Sequence, residues 1–373
     1  MLIKPKAGQP AKIKVVGVGG GGGNAISSMM IEEDIRGVEF VILNTDAQAL
    51  LHHKAHVKIQ IGENLTKGLG SGGDPEVGLK AAEESREKIK EHLSGADMIF
   101  IACGEGGGTG TGGAPIVAEV GKESGALTVA VVTKPFNFEG SRRKVTAEEG
   151  ISQLKDKVDT LIIIPNQRVL EVIDKKVGVT QAFKKIDSIL HQGVKAIAEL
   201  ITTPGLINVD FADVKTIMSN AGTALMGIGT GTGEGRILAA IKQAISSPLL
   251  ETSIEGARGV LFNVMGGSDL SMNEIDEAAN IIAKTVDADA DIIFGAVINE
   301  KMTDQVKITV IATKFDEARL RILKMKSKQQ ENASETIFAS HNAQKEKNDQ
   351  KEDEVMMDDD EFDIPTFLRK KIH

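Results

Sequence analysis

Two glycine runs in the first third of the chain carry residue types and spacing that suit phosphate chemistry. Gly17-Val18-Gly19-Gly20-Gly21-Gly22-Gly23-Asn24 follows the β-branched run Ile13–Val18 and precedes a helical segment expected to begin near Ala25. Glycine lets backbone approach an anion closely and take positive φ. The helix start then offers unpaired N–H groups and a partial positive charge. Gly17, Gly19 and Gly22 also satisfy G-x-G-x-x-G, and Asp46 lies near the end of the next strand, so this run alone fits a dinucleotide equally well. The second run, Gly106-Gly107-Gly108-Thr109-Gly110-Thr111-Gly112, follows Met98–Ala102 and precedes a helix with Pro115 near its start. Alternating glycine and threonine supplies an anion nest and hydroxyl donors for a polyphosphate. No Gly-Lys-Ser/Thr follows either run, which excludes a P-loop. A dinucleotide enzyme has no use for a second phosphate loop one strand-pair later, so the pair of runs favours a nucleoside polyphosphate.

A different chemistry is offered by Asn208-Val209-Asp210-Phe211-Ala212-Asp213. Asp210 suits the N-cap of the helix that follows, and Asp213 the first turn, where the macrodipole favours a carboxylate. Capping alone accounts for both at this level. At the far end, Phe362-Asp363-Ile364-Pro365-Thr366-Phe367-Leu368-Arg369 sets apolar residues between an acidic run and a basic terminus. That composition reads as a docking peptide that folds on binding.

The elements that must hold these residues are legible in outline. Apolar runs at Ile13–Val18, Val38–Leu43, Met98–Ala102, Leu127–Val132 and Leu161–Ile164 alternate with helical periods such as Glu76–Leu93 and Gly113–Ser124. This alternation is the signature of a parallel sheet covered on both faces, an α/β fold. A long helix is expected over Gln181–Ile201, with Phe183, Ile186, Leu190, Val194, Ile197 and Ile201 on one stripe. Thr203-Pro204-Gly205 ends it. Helices at Phe211–Asn220, Glu234–Ser246 and Ser271–Val286 and strands at Val260–Val264, Asp291–Val297 and Val306–Ala312 then suggest a second, smaller α/β domain joined through the central helix. The divisions are 1–12 flexible N-terminus, 13–180 nucleotide-binding domain, 181–202 central helix, 203–316 C-terminal domain, 317–358 disordered linker and 359–373 partner-binding peptide.

Composition narrows the function. With 373 residues, 41% hydrophobic and 26% charged, the chain can bury ordinary cores. It has no Trp or Tyr and a net charge of -9, which argues against stacking or electrostatic binding of nucleic acid. The single Cys103 excludes an intramolecular disulfide and a multi-cysteine zinc site. Neither a bilayer-length apolar run nor a secretory signal is evident, so a cytoplasmic protein without direct membrane insertion is expected.

The segments GVGGGGGNA, GGGTGTG and NVDFADVKTIMSNAGTALMGIG, in this order and with a terminal FDIPTFLRKK, resemble the FtsZ family, the bacterial relatives of tubulin. The resemblance runs from about Ile13 to Phe315 and resumes at the terminal peptide. It implies a tubulin/FtsZ-like fold, with a Rossmann-like GTPase domain, and a filament that hydrolyses GTP to GDP. Gly21, Gly22, Gly23, Asn24 and Ala25 would contact the phosphates; Gly107, Gly108, Thr109, Gly110 and Thr111 would cradle them. Asn44, Thr45 and Asp46 match the loop after the second strand. Gly68–Pro75, with Gly72 central, matches the γ-phosphate loop, although Asp74 stands where Asn is commoner. Glu139 would accept from the ribose hydroxyls, Arg143 would lie near the phosphates, and Asn166 would help hold the nucleotide. Phe183 would pack on the base and Asp187 would accept from guanine, a donor pattern adenine lacks. Asn208, Asp210 and Asp213 would enter the site of the next subunit and polarise the attacking water. Magnesium would come bound through the nucleotide, with no protein metal site. The partners implied are further copies of the chain, head to tail, and FtsA-like membrane-anchoring proteins bound through Asp363, Ile364, Pro365, Phe367, Leu368 and Arg369, at a mid-cell ring. Glu105 departs from the usual Met or Leu; nothing in the sequence explains it, and a solvent-facing side chain is the simplest reading. An NAD-dependent oxidoreductase and a GTP-binding scaffold with little hydrolysis are rivals, but neither accounts for both glycine runs and the Asp210/Asp213 loop. Tubulin-like plasmid-segregation or chromosome-associated filaments are closer competitors, against which the terminal peptide favours division.

Overall fold

A computed structural model of the protein describes residues 11–32, 35, 37–172, 178–203, 205–207, 209–247, 250 and 252–316. Asn208 and the whole tail, with Asp363 to Arg369, lie outside the described residues.

The first half runs β1 (Ile13–Val18), α1 (Gly19–Glu32), β2 (Val38–Asn44), α2 (Ala47–His52), β3 (Val57–Gln60), α3 (Glu63–Thr66), α4 (Pro75–Glu84), α5 (Arg86–Leu93), β4 (Met98–Gly104), α6 (Thr109–Glu123), β5 (Leu127–Lys134), α7 (Ser141–Lys155) and β6 (Thr160–Pro165). All six strands are parallel, in the order β3-β2-β1-β4-β5-β6. Apolar residues fill β1, β4 and β5 with little alternation, because helices cover both faces and nearly every side chain is buried.

The second half adds α8 (Asn166–Val172), α9 (Val179–Thr202), α10 (Phe211–Met218), β7 (Gly222–Thr232), α11 (Arg236–Ile245), β8 (Gly259–Gly266), α12 (Met272–Thr285), β9 (Asp291–Ile298) and β10 (Gln305–Thr313). β7 joins the halves. Its Gly222–Ala224 pair with β6 in parallel, and Leu225–Thr232 pair with β10 antiparallel. One ten-stranded sheet results, ending β7-β10-β8-β9. The halves are therefore connected by strands as well as by α9. That helix buries Ile186, Leu190, Val194 and Ile197 of the expected stripe, while Phe183 at its start stays 42% exposed.

Asp159 clamps the seam. One carboxylate oxygen accepts from Thr128 N (2.9 Å) and its hydroxyl (3.0 Å), the other from Asn220 N (3.3 Å), and the Asp159 carbonyl accepts from Gly222 N (3.0 Å). Beside it, Thr160 Oγ1 donates to the Met218 carbonyl at 2.5 Å. The C-terminal end of α10 thus docks at the N-terminal ends of the parallel strands.

Several expectations change. The helix expected near Ala25 begins at Gly19, and that expected at Gly113 begins at Thr109, so Gly19–Gly23 and Gly110–Gly112 lie inside helix starts while Gly106–Gly108 form the turn before α6. Pro115 consequently sits in the second turn of α6. Glu76–Leu93 is two helices, because Ser85 adopts ψ of 13° and its hydroxyl accepts from Gly62 N at 3.0 Å. β3 was hidden by its shortness and β7 by its glycines, which weaken strand propensity. Those glycines are required by packing. A Cβ at Gly227, Gly229 or Gly231 would collide with the carbonyls of Ala244, Ala240 or Arg236 on α11.

Glu105 does not face solvent: it is 4% exposed, between β4 and α6. Its Oε1 accepts from the Cys103 thiol (3.3 Å), while Oε2 has no hydrogen-bond partner. Gly150 of α7 makes room for the carboxyl, since a Cβ there would meet Glu105 Oε2. Burial pushes the Glu105 carboxyl up from 4.5 to about 7, against smaller opposing pulls from Cys103 and Thr111. A raised carboxyl pKa means the unfolded chain releases its proton first, so this group costs stability progressively between pH 4.5 and 7. Glu105→Met removes the cost. Its stability relative to wild type should rise by about 2–3 kcal/mol from pH 5 to pH 8, measured by urea unfolding; a constant difference would mean that Glu105 is hydrated.

Candidate nucleotide site

The strand order turns around between β1 and β4: β2 and β3 lie on one side of β1, and β4, β5 and β6 on the other. Beyond the carboxyl ends of strands at such a switch point an open α/β sheet has its crevice. Both glycine runs follow this strand pair. Gly19, with φ of +72°, turns the chain from β1 into α1, and a Cβ on it would lie 2.9 Å from Gly110 N. Gly21 approaches Gly104 in the same way, and a Cβ at Gly22 would strike the Ala102 carbonyl. The starts of α1 and α6 are thereby packed against each other without side chains between them. Their free N–H groups and partial positive charges serve one region.

Exposure sorts the first run. Gly20, Gly21 and Asn24 are exposed, whereas Gly22, Gly23 and Ala25 are buried. The spacings of three and four put Asn24 on the face of Gly20 and Gly21. Ala25 can offer a ligand no side-chain surface. In the second run Gly107 is partly exposed, with nothing within 4 Å of the point a Cβ would occupy, and Gly108, Thr109, Gly110 and Thr111 are buried. The threonine hydroxyls serve the scaffold. Thr109 Oγ1 shares hydrogen bonds with Thr45 Oγ1 (2.7 Å) and Ser71 Oγ (3.0 Å), and Thr111 Oγ1 accepts from Gly106 N (2.9 Å). Thr109 therefore ties together the loops that follow β2, β3 and β4. Ser71 was not singled out in the sequence; a serine in a glycine-rich loop carries no signal of its partner.

Asp46 caps α2, its carboxylate accepting from Gln48 N (2.9 Å) and Ala49 N (3.0 Å). Asp74 does the same for α4, accepting from Glu76 N at 2.9 Å, so the Asn-to-Asp departure keeps a capping acceptor. Gly72 and Gly73, at φ of 62° and 79°, are exposed in the loop between, with open space where side chains would stand.

After β5, Phe136 is buried and Phe138 stacks on it at 4.8 Å. Phe183 meets Phe136 edge-on at 5.4 Å, which brings the start of α9 to the same crevice. Glu139 Oε1 accepts from Phe136 N (2.8 Å) and Oε2 from Arg143 (2.6 Å). These two residues are partners of each other here, and Arg143 reaches back over Gly106, where its carbonyl stands 2.7 Å from a would-be Cβ. Asn166, at the start of α8, is buried, and its Oδ1 has no hydrogen-bond partner. A buried acceptor beside the crevice is what a ligand donor would complete. Asp187 lies one turn beyond Phe183, partly buried.

The acidic loop is elsewhere. Asp210 and Asp213 form a reciprocal capping box on α10: Asp210 Oδ1 accepts from Asp213 N (2.8 Å) and Asp213 Oδ2 from Asp210 N (3.4 Å). Both are exposed. α9 runs from Phe183 at the crevice to Thr202, whose methyl is 3.6 Å from a Cβ built on Gly37, just before β2 begins. Its 24 residues span about 36 Å. Asp210 and Asp213 thus occupy the opposite edge of the sheet from the glycine turns of their own chain. Among the described residues no cluster of three or more His, Cys, Asp or Glu could hold a metal ion, and no helix is long and apolar enough to cross a membrane.

Comparison with known proteins agrees with this geometry. The model for the GTPase domain of the Tubulin/FtsZ family matches residues 12–174, and that for the C-terminal domain of the FtsZ family matches residues 222–316. A structure of an empty FtsZ dimer from M. jannaschii is 46% identical, with a TM-score of 0.79, covering 83% of this chain and 92% of that one. A point mutant of FtsZ from the same organism is 48% identical, with a TM-score of 0.78, covering 82% and 91%. CetZ2 from Haloferax volcanii, solved as a GTPγS-bound protofilament, shares the fold at 19% identity, with a TM-score of 0.71 and coverage of 87% and 99%. With paired glycine turns at the switch point, both domain models and relatives at nearly half identity, the chain belongs to the FtsZ family of tubulin-like, GTP-dependent cell-division filament proteins and is a GTPase.

Proposed function

We propose that the chain assembles head to tail and hydrolyses GTP to GDP and phosphate at the junction between subunits, forming the cytokinetic ring at the bacterial division site. The observation that carries this is the separation within one chain: glycine turns at one edge of the sheet, the exposed Asp210/Asp213 loop at the other. A second copy stacked on the first brings the two together. Such an interface is heterologous, so it propagates as an open filament.

The residues divide the work. The starts of α1 and α6, through Gly20, Gly21, Gly107 and Gly108, bind the phosphates with backbone N–H groups. Gly72 approaches the γ-phosphate. Asn166 Oδ1 and Glu139 accept from the nucleoside, Arg143 turns from Glu139 to phosphate, Phe183 covers the base and Asp187 accepts from guanine. Asp213 and Asp210 of the next subunit, with Asn208, orient the attacking water for in-line displacement. Magnesium, if carried in by the triphosphate, would supply charge neutralisation for phosphoryl transfer. The terminal peptide with Asp363, Ile364, Pro365, Phe367, Leu368 and Arg369 docks on FtsA-like anchoring proteins, and residues 13–180 and 203–316 act as the GTP-binding and loop-donating domains.

Two outcomes test this. Light scattering and phosphate release, followed across a protein concentration series with GTP and magnesium, should rise together above a threshold, with ATP silent. A GTPase rate per molecule that is independent of concentration would mean that each monomer is complete. Asp213→Asn keeps an acceptor for Asp210 N and hence the cap, but loses the carboxylate. It should lower the GTPase about 100-fold while GTP still drives assembly; an unchanged rate would leave Asp213 a capping residue only.

A further inference from the structure

We infer that His53 is a positioning residue for the nucleotide: it holds the Asn24 amide with its oxygen inward, so that the amide NH2 is what meets a phosphate oxygen. The inference rests on the nucleotide reading above. His53 follows α2 as its C-cap, and its N–H donates to Ala49 O at 3.2 Å. Its imidazole lies on Gly23, where a Cβ would strike the ring atoms, so glycine at 23 is what admits the ring. The next residue is tied to the same turn: Lys54 N donates to Ser27 Oγ (2.9 Å), and Ser27 Oγ donates to Gly23 O (2.8 Å). The strap 53–54 is thus anchored on α1 at two points, the ring on Gly23 and Lys54 N on Ser27.

His53 Nε2 is 3.1 Å from Asn24 Oδ1. Its Nδ1 is buried and has no hydrogen-bond partner. Burial, then Lys58 and His52, lower its pKa below the usual 6.5 against the pull of Asp46, so the ring is neutral at pH 7 and carries one N–H. A proton on Nδ1 would be a buried donor without an acceptor, the rarer and costlier defect. On Nε2 it makes the hydrogen bond to Oδ1. The tautomer therefore fixes the amide, and Oδ1 is occupied. Among the described residues Nδ2 makes no hydrogen bond, and Asn24 is exposed on the face of Gly20 and Gly21. An amide turned the other way would offer its oxygen to an anion and repel it. Nothing in the sequence marks His53, since its partner lies 29 residues earlier.

The test is a double-mutant cycle on the full chain, with GTP and guanosine binding measured by calorimetry. His53→Phe keeps a ring on Gly23 but loses the donor. His53→Phe and Asn24→Ala should each weaken GTP binding about five- to tenfold, and the double variant should bind no more weakly than Asn24→Ala, with guanosine unaffected in all. Losses that multiply in the double variant, or equal losses for guanosine, overturn the inference. Nitrogen-15 NMR of histidine-labelled wild type, with His53 assigned through His53→Gln, gives a reading independent of the Phe variant. A proton on Nε2 is expected, and one on Nδ1 overturns it. Wild-type protein that binds guanosine and GTP equally weakly refutes the nucleotide reading itself.

Discussion

The contact on which the rest depends is backbone against backbone at the ends of β1 and β4. Gly19 meets Gly110, Gly21 meets Gly104, and Gly22 meets the Ala102 carbonyl. Any side chain at these positions would hold the starts of α1 and α6 apart and divide one anion site into two weaker ones. Neighbouring strands lie only about 4.7–4.9 Å apart, which leaves no room for more. The hydroxyls then close the arrangement, with Thr109 bonded to Thr45 and Ser71 and Thr111 to Gly106 N. This explains why threonines alternate with the glycines: the small residues allow approach and the hydroxyls replace the lost contacts.

A second constraint is the depth of the sheet. α9 crosses it from Phe183 to Thr202, and Asp159 and Thr160 fasten α10 and β7 at the far edge. On the proposed reading, chemistry that uses both the glycine turns and the Asp210/Asp213 loop draws them from two molecules. The capping box and the proposed role with water do not compete, because each carboxylate has two oxygens and the cap uses one of each. On that reading the same local signal that starts α10 also presents it.

Much of the fold was legible because the strongest signals are local. The expected bounds of β1 match to the residue, and those of β2, β4, β5 and β6 to within about two residues at each end, since short, largely apolar runs with glycine or aspartate beside them admit few alternatives. The helix starts were read late at Gly19 and Thr109, because glycine has poor helix propensity and tertiary contact overrode it. Of the proposed site, the glycines were legible by type and motif and Asn24, Asn166, Phe183 and Glu139 by family resemblance; they stand at the carboxyl ends of the parallel strands or on segments packed beside them. His53, Ser71 and the burial of Glu105 were not, because their partners are remote in sequence or their surroundings come from other elements.

One pentapeptide separates the two levels. Gly-Thr-Gly-Thr-Gly occurs at 108–112 and again at 229–233. The first begins α6 at the switch point, where phosphate binding is proposed; the second ends β7, with α11 carbonyls against Gly229 and Gly231. By itself the sequence determined the α/β class, the periods of the elements, the cap at Asp210 and a polyphosphate chemistry, since each rests on neighbours within a few residues. Tertiary structure alone decided that one glycine run starts a helix at the switch point while the other ends a strand against α11. Glycine imposes no conformation of its own, so the partner that packs against it chooses.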